Sequence, residues 1–137
     1  MASELKVDKF TGVTTAGSID VTGEGNSTTT NLQQGLVKAW MRWDMSASSL
    51  EDSFNVSGFT DVSQGISQFN YSSSMGNGTY AIAGIAGEKS GGGNRGLGIN
   101  GNSTAPTTAL IRFYSFTSSW SASDLDLNSA NISGDLA

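Results

Sequence analysis

Glu51, Asp52 and Asp61 are the carboxylates with the best claim to acid–base chemistry in this chain. Glycoside hydrolysis needs two such groups roughly 5 to 9 Å apart. Nothing in their spacing sets that separation, and turns and strand edges use the same residues, so no catalytic residue is assigned. Asp124, Asp126 and Asn128 stand at the first three ligand positions of a calcium loop, with Asp135 at the twelfth. The sixth position, where the loop's sharp turn wants glycine, is Ser129, and the final ligand is not glutamate. Alternating Asp-Leu-Asp-Leu-Asn equally describes a half-buried strand, and no metal is expected. Gly96-Leu97-Gly98-Ile99-Asn100-Gly101 spells the dinucleotide fingerprint, which requires a helix directly after it. Here Asn102-Ser103-Thr104-Ala105-Pro106 follows, so a hairpin or surface loop is expected, with no cofactor.

Tryptophan offers a different chemistry. Its apolar face and polar edge suit stacking on sugar rings. Trp40 and Trp43 are expected to pack, in the core or between subunits. Trp120 differs, because Ser118-Ser119 precede it and Ser121 follows. With Arg95 it is the candidate contact if the chain binds a host surface polysaccharide.

The chain as a whole narrows these options. Its 137 residues contain no histidine, the commonest general base and metal ligand, and no cysteine. The net charge of −5, with seven dispersed Lys and Arg, has no footprint for phosphate backbones. The N-terminus lacks the apolar core of a signal peptide, and no run approaches the ~20 apolar residues of a membrane span. The expectation is a non-enzymatic protein made without secretion, with neither nucleic acid nor membrane as partner.

Eighteen glycines, one proline and abundant Ser, Thr and Asn describe turns and short strands. Residues 1–30 read as an extended arm. Leu5, Val7 and Phe10 mark one piece, and Ile19 and Val21 a second. The polar stretch 23–30 reads as a hinge. A short helical connector is expected over 31–38, with Thr30 or Asn31 as cap and Gln33 or Gln34 closing a capping box. Leu32 and Leu36 share its face at i, i+4, although Gly35 weakens it by about 1 kcal/mol. From Ala39 the period becomes two, placing Met41, Trp43 and Met45 opposite Trp40, Arg42 and Asp44. Further strands are expected at Ser53–Phe59, Ser67–Tyr71, Thr79–Ala86 and Thr107–Thr117. Leu125, Leu127 and Ile132 mark a last pair, and Asn77-Gly78 signals a hairpin. Residues 87–105 form a Gly-rich insert, within which Leu97 and Ile99 could make a short strand. Residues 39–137 are thus a β-rich head. The expected fold is all-β: an antiparallel β-sandwich or jelly-roll-like head with an extended N-terminal arm and one short helix.

Two stretches carry a resemblance. One is Val21-Thr22-Gly23-Glu24-Gly25-Asn26-Ser27-Thr28-Thr29-Thr30-Asn31-Leu32-Gln33-Gln34-Gly35-Leu36, with Lys38-Ala39-Trp40. The other is Asp52-Ser53-Phe54-Asn55-Val56-Ser57. Over residues 1–86 the chain resembles a family of short proteins from phages of marine and freshwater bacteria, described as tail-fibre or virion structural proteins. The chain departs from that pattern at Met41-Arg42-Trp43-Asp44-Met45, where an Asn/Gly-rich turn is usual. The resemblance implies a virion component assembled in the bacterial host cytoplasm and forming a homotrimer. It implies an N-terminal anchor, here Leu5, Val7, Phe10, Ile19 and Val21, and a β-rich head, and it brings no catalytic residues. Leu32, Leu36 and Trp40 are the expected trimer-packing residues. A small fibre or decoration component is expected, in contact with capsid or tail proteins. A capsid cement protein and a module for host surface polysaccharide are the other readings.

Overall fold

The computed structural model describes residues 4–12, 19–22, 29–91, 93–100 and 104–136. The chain divides into two compact units, Met1–Gly35 and Leu36–Ala137.

In the first unit, strands β1 (Asp20–Thr22) and β2 (Thr29–Asn31) pair antiparallel, Val21 opposite Thr30. Thr29 and Thr30 of the second strand thus belong to the stretch expected to be a polar hinge, and Asn31 to the expected helical connector. Residues 13–18 and 23–28 lie outside the described residues. The helix α1 is a single turn, Leu32–Gly35, and the Leu32 amide donates to the Ile19 carbonyl at 2.8 Å. Leu36 lies beyond this turn, so Leu32 and Leu36 do not form a helical stripe. Gly35 and the β-branched Val37 explain the early stop, since neither favours helix continuation. The capping box rests on Gln33 and Gln34, whose side chains lie outside the described residues.

The second unit is an antiparallel β-sandwich. β3 (Val37–Asp44), β4 (Ser49–Phe54), β7 (Ala81–Gly87) and β10 (Leu127–Ser133) form sheet I in the order β4-β3-β10-β7. β5 (Val56–Ser63), β6 (Ile66–Tyr71), β8 (Arg95–Ile99) and β9 (Leu110–Thr117) form sheet II in the order β5-β6-β9-β8. The central strands carry the cleanest alternation. Ala39, Met41 and Trp43 of β3 and Ala130 and Ile132 of β10 face Phe69 and Tyr71 of β6 and Ile111 and Phe113 of β9. Trp43 is the keystone of this core. Its ring meets Phe69 edge-on at 4.8 Å and Phe113 at 5.4 Å, so one residue of sheet I contacts two strands of sheet II. Burying such an aromatic stabilises by about 2–3 kcal/mol relative to leaving it exposed.

Three expected elements come out differently. The run Ser53–Phe59 is not one strand: Asn55, at φ 58°, turns the chain from β4 in sheet I to β5 in sheet II. Its side chain holds this corner, Nδ2 donating to the Lys38 and Ser73 carbonyls and Oδ1 accepting from the Ser73 amide. Asn77-Gly78 makes no hairpin, because β6 and β7 belong to different sheets. Asn77 Oδ1 instead accepts from the Thr79 amide at 2.8 Å, a local turn within the crossing. Leu127 and Ile132 share the single strand β10, with Leu125 buried just before it.

Candidate functional site

The carboxylates that opened the chemical reading are all engaged structurally. A register shift between Arg42 and Trp43 leaves Glu51 as the extra residue of β4, where it accepts from Arg42 Nε at 2.7 Å. Lys89 Nζ sits 3.1 Å from Asp44 and 3.8 Å from Glu51, closing a network of alternating charges. Burial opposes ionisation of Asp44, but hydrogen bonds from Ser46, the Ala47 amide and Lys89 outweigh it and hold its pKa below the ordinary 3.8. Asp52 accepts from the Ser53 amide, and Asp61 from the Ser48 hydroxyl.

The calcium-like residues are dispersed in the same way. Asp124 accepts from the Gly65 amide at 2.6 Å, and Asp126 from the Lys89 amide at 2.7 Å. Asn128 is buried and donates to the Leu125 carbonyl at 2.6 Å. Among the described residues no group of three or more metal-ligating side chains converges.

Gly96 and Gly98 lie in β8, paired with Phe116 and Tyr114, and among the described residues β9 is the next element. Both glycines face outward from sheet II, since Leu97 between them packs against the core. A Cβ on Gly96 would collide with the Phe116 ring, which occupies the space a side chain would need. The Gly-Leu-Gly spacing is therefore a bed for an aromatic ring.

That ring belongs to the most unusual feature of the surface. Tyr114 and Phe116, on the outer face of β9, stack at 5.5 Å, and Trp120 stacks on Phe116 at 4.8 Å with 18° between planes. Trp120 is nevertheless 75% exposed, because Phe116 covers only one indole face. It sits in a tight reversal: its amide donates to the Thr117 carbonyl at 2.9 Å, and the Thr117 amide to the Ser121 carbonyl at 3.0 Å. The third loop position of such a reversal adopts left-handed backbone and ordinarily carries glycine. Trp120 occupies it at φ 62°. For a bulky residue that conformation costs about 1–2 kcal/mol. The Tyr114 hydroxyl donates to the Trp120 carbonyl at 3.0 Å and braces it. The hydroxyls of the same turn are linked, Ser119 Oγ lying 2.9 Å from Thr117 Oγ1 and 3.3 Å from Ser121 Oγ. Further along the same face Arg112 Nε donates to Gln68 Oε1 at 2.8 Å, and Gln68 Nε2 to Asn70 Oδ1 at 3.1 Å.

The other expected site residues are placed as follows. Arg95 follows the opposite pleat from Gly96, and its guanidinium contacts Glu88 at 2.6 Å, so it does not join Trp120. Trp40 is half-buried on the outer face of sheet I, paired with the exposed Phe54. Leu36 is exposed in the second unit, and Leu32 is half-buried in the first. Leu5, Val7, Phe10 and Val21 are exposed, and Ile19 is half-buried. Phe116 and Tyr114 are not among the residues the sequence singles out. The outward alternation of Arg112, Tyr114 and Phe116 along β9 was the available signal.

Comparison with protein-family models, curated proteins and solved structures finds no match to this chain.

Proposed function

We propose that the chain is a structural component of a bacteriophage particle, a small fibre or decoration protein that assembles as a homotrimer. The supporting observation is the contrast between its two units. In the first, Leu5, Val7, Phe10 and Val21 are between 47% and 74% exposed, and the only paired strands among its described residues form a hairpin of three residues each. Such a hairpin is at best marginal in water, and exposed apolar residues of this kind gain stability when a partner covers them. The second unit buries a full core of its own. One unit suited to being held and another suited to display fit an anchored particle component, in line with the sequence resemblance. In this reading the first unit grips capsid or tail proteins. Leu36, Trp40 and Leu32 contribute to packing between copies about the trimer axis.

Quantitative mass spectrometry of purified particles, counting this chain against the major capsid protein, tests the proposal. On the order of hundreds of copies identifies a decoration or cement protein, and about a dozen or two a tail or collar fibre, since symmetry sets both counts. Particles devoid of the chain would rule the proposal out. Sedimentation equilibrium checks the trimer, which should weigh three times the 14.2 kDa chain.

A further inference from the structure

We infer that Trp120, with the Thr117–Ser121 turn that presents it, is a binding site for a neutral polysaccharide. The inference goes beyond the particle reading and does not depend on it. Left-handed backbone at this turn position favours glycine, yet the chain places its bulkiest residue there and leaves it in solvent. Fold stability does not account for that choice, and local strain over-determined by its surroundings is characteristic of ligand contacts. The surroundings here are the Phe116 ring behind the indole, the Tyr114 hydroxyl bracing its carbonyl, and two backbone hydrogen bonds.

The chemistry of the site selects its ligand. One indole face is covered by Phe116 and the other is open, so a flat apolar patch of about one ring is on offer. The axial C–H groups of a pyranose form such a patch, and their polarised hydrogens meet the negative face of the ring. The hydroxyls of Thr117, Ser119 and Ser121, carried by the same turn, are of the kind that pairs with the donors and acceptors on a sugar's edge. Residues 113–123 contain no charged side chain in a chain of net charge −5, which matches an uncharged ligand. Nucleic acid would require cations beside the stacking ring. A protein partner would require an apolar centre within roughly 800 Å², where this site offers one exposed ring on a turn of Ser and Thr.

The test is affinity electrophoresis of the full chain in gels containing dextran, laminarin, mannan or xylan, with alginate as the anionic comparison. Retardation is expected in at least one neutral gel and should be lost in both Trp120→Ala and Trp120→Gly. The glycine variant suits the left-handed backbone, so it keeps the reversal folded and separates loss of binding from loss of structure. Trp120→Tyr should retain part of the retardation. Mobility unchanged in all four neutral gels, retardation by alginate alone, or retardation undiminished in folded Trp120→Gly would each overturn the inference.

Discussion

Asn55 shows how much of the fold can depend on one side chain. It stands in left-handed backbone at the corner between the sheets and makes three hydrogen bonds to main-chain groups. Asn55→Ala should lose those bonds and add steric strain, costing about 2–4 kcal/mol in urea unfolding. Asn55→Gly relieves the strain but restores no bond, so it should cost about 1–2 kcal/mol. Equal losses in the two variants would show that the backbone conformation is not what matters there. Asp44 gives the fold an acid limit. Its folded pKa lies below the unfolded 3.8, so its contribution is complete above that value and fades as pH falls through the lower folded one. Asp44→Asn should flatten the dependence of unfolding free energy on pH below about 4, measurable by denaturant titration at stepped pH. Trp120's exposure was legible in its serine neighbours. Its left-handed backbone was not, because nothing in Ser-Ser-Trp-Ser marks a position that ordinarily carries glycine.

The strands differ in how openly the sequence shows them. β3, β6 and β9 lie between two neighbours and bury one face, so their apolar residues alternate, and that alternation is visible in the chain, whereas the equally central β10 buries Asn128, Ala130 and Ile132 and hides its period. The edge strands bury less and were harder to read. β4 and β5 merge into one apparent run because Phe54 and Val56 keep a period of two across the corner at Asn55. Asn-Gly signals a hairpin only when the flanking strands share a sheet, and local residues cannot reveal that they do not. The short strand expected at Leu97 and Ile99 is β8, but the role of Gly96 within it was not legible, because it depends on Phe116, twenty residues away. A side chain at that position should displace the ring. Gly96→Val should leave β8 poorly packed, cost about 1–3 kcal/mol, and change the near-ultraviolet dichroism that the Phe116–Trp120 stack contributes. β7 is the exposed edge of sheet I: Ala81–Gly87 contains no charge, and Ile85 is 72% exposed. Lysine on such an edge discourages pairing between molecules. Ile85→Lys should therefore slow aggregation on heating, followed by light scattering, with the unfolding midpoint almost unchanged.

At the scale of the molecule, the two units should separate experimentally. Residues 36–137 contain all eight strands and the whole aromatic core of the sandwich. A chain lacking residues 1–35 should unfold cooperatively in calorimetry. Non-cooperative melting would mean that the sandwich needs the first unit. Trp43→Ala should cost about 3–5 kcal/mol, because it removes the ring that contacts both Phe69 and Phe113 across the sheets.

The position of β10 has a consequence for how the protein is made. This strand lies between β3 and β7, and Asn128 bonds to Trp43 across 85 residues of chain. While β10 is still inside the ribosome, the hairpin β3–β4 has no neighbour on its inner side and β7 has none at all within sheet I. The sandwich therefore completes only after synthesis has passed residue 133, and contacts this distant in sequence form slowly. Until then the core lacks the Ala130 and Ile132 that β10 supplies, and nascent chains crowded on one message are most prone to join each other in that interval.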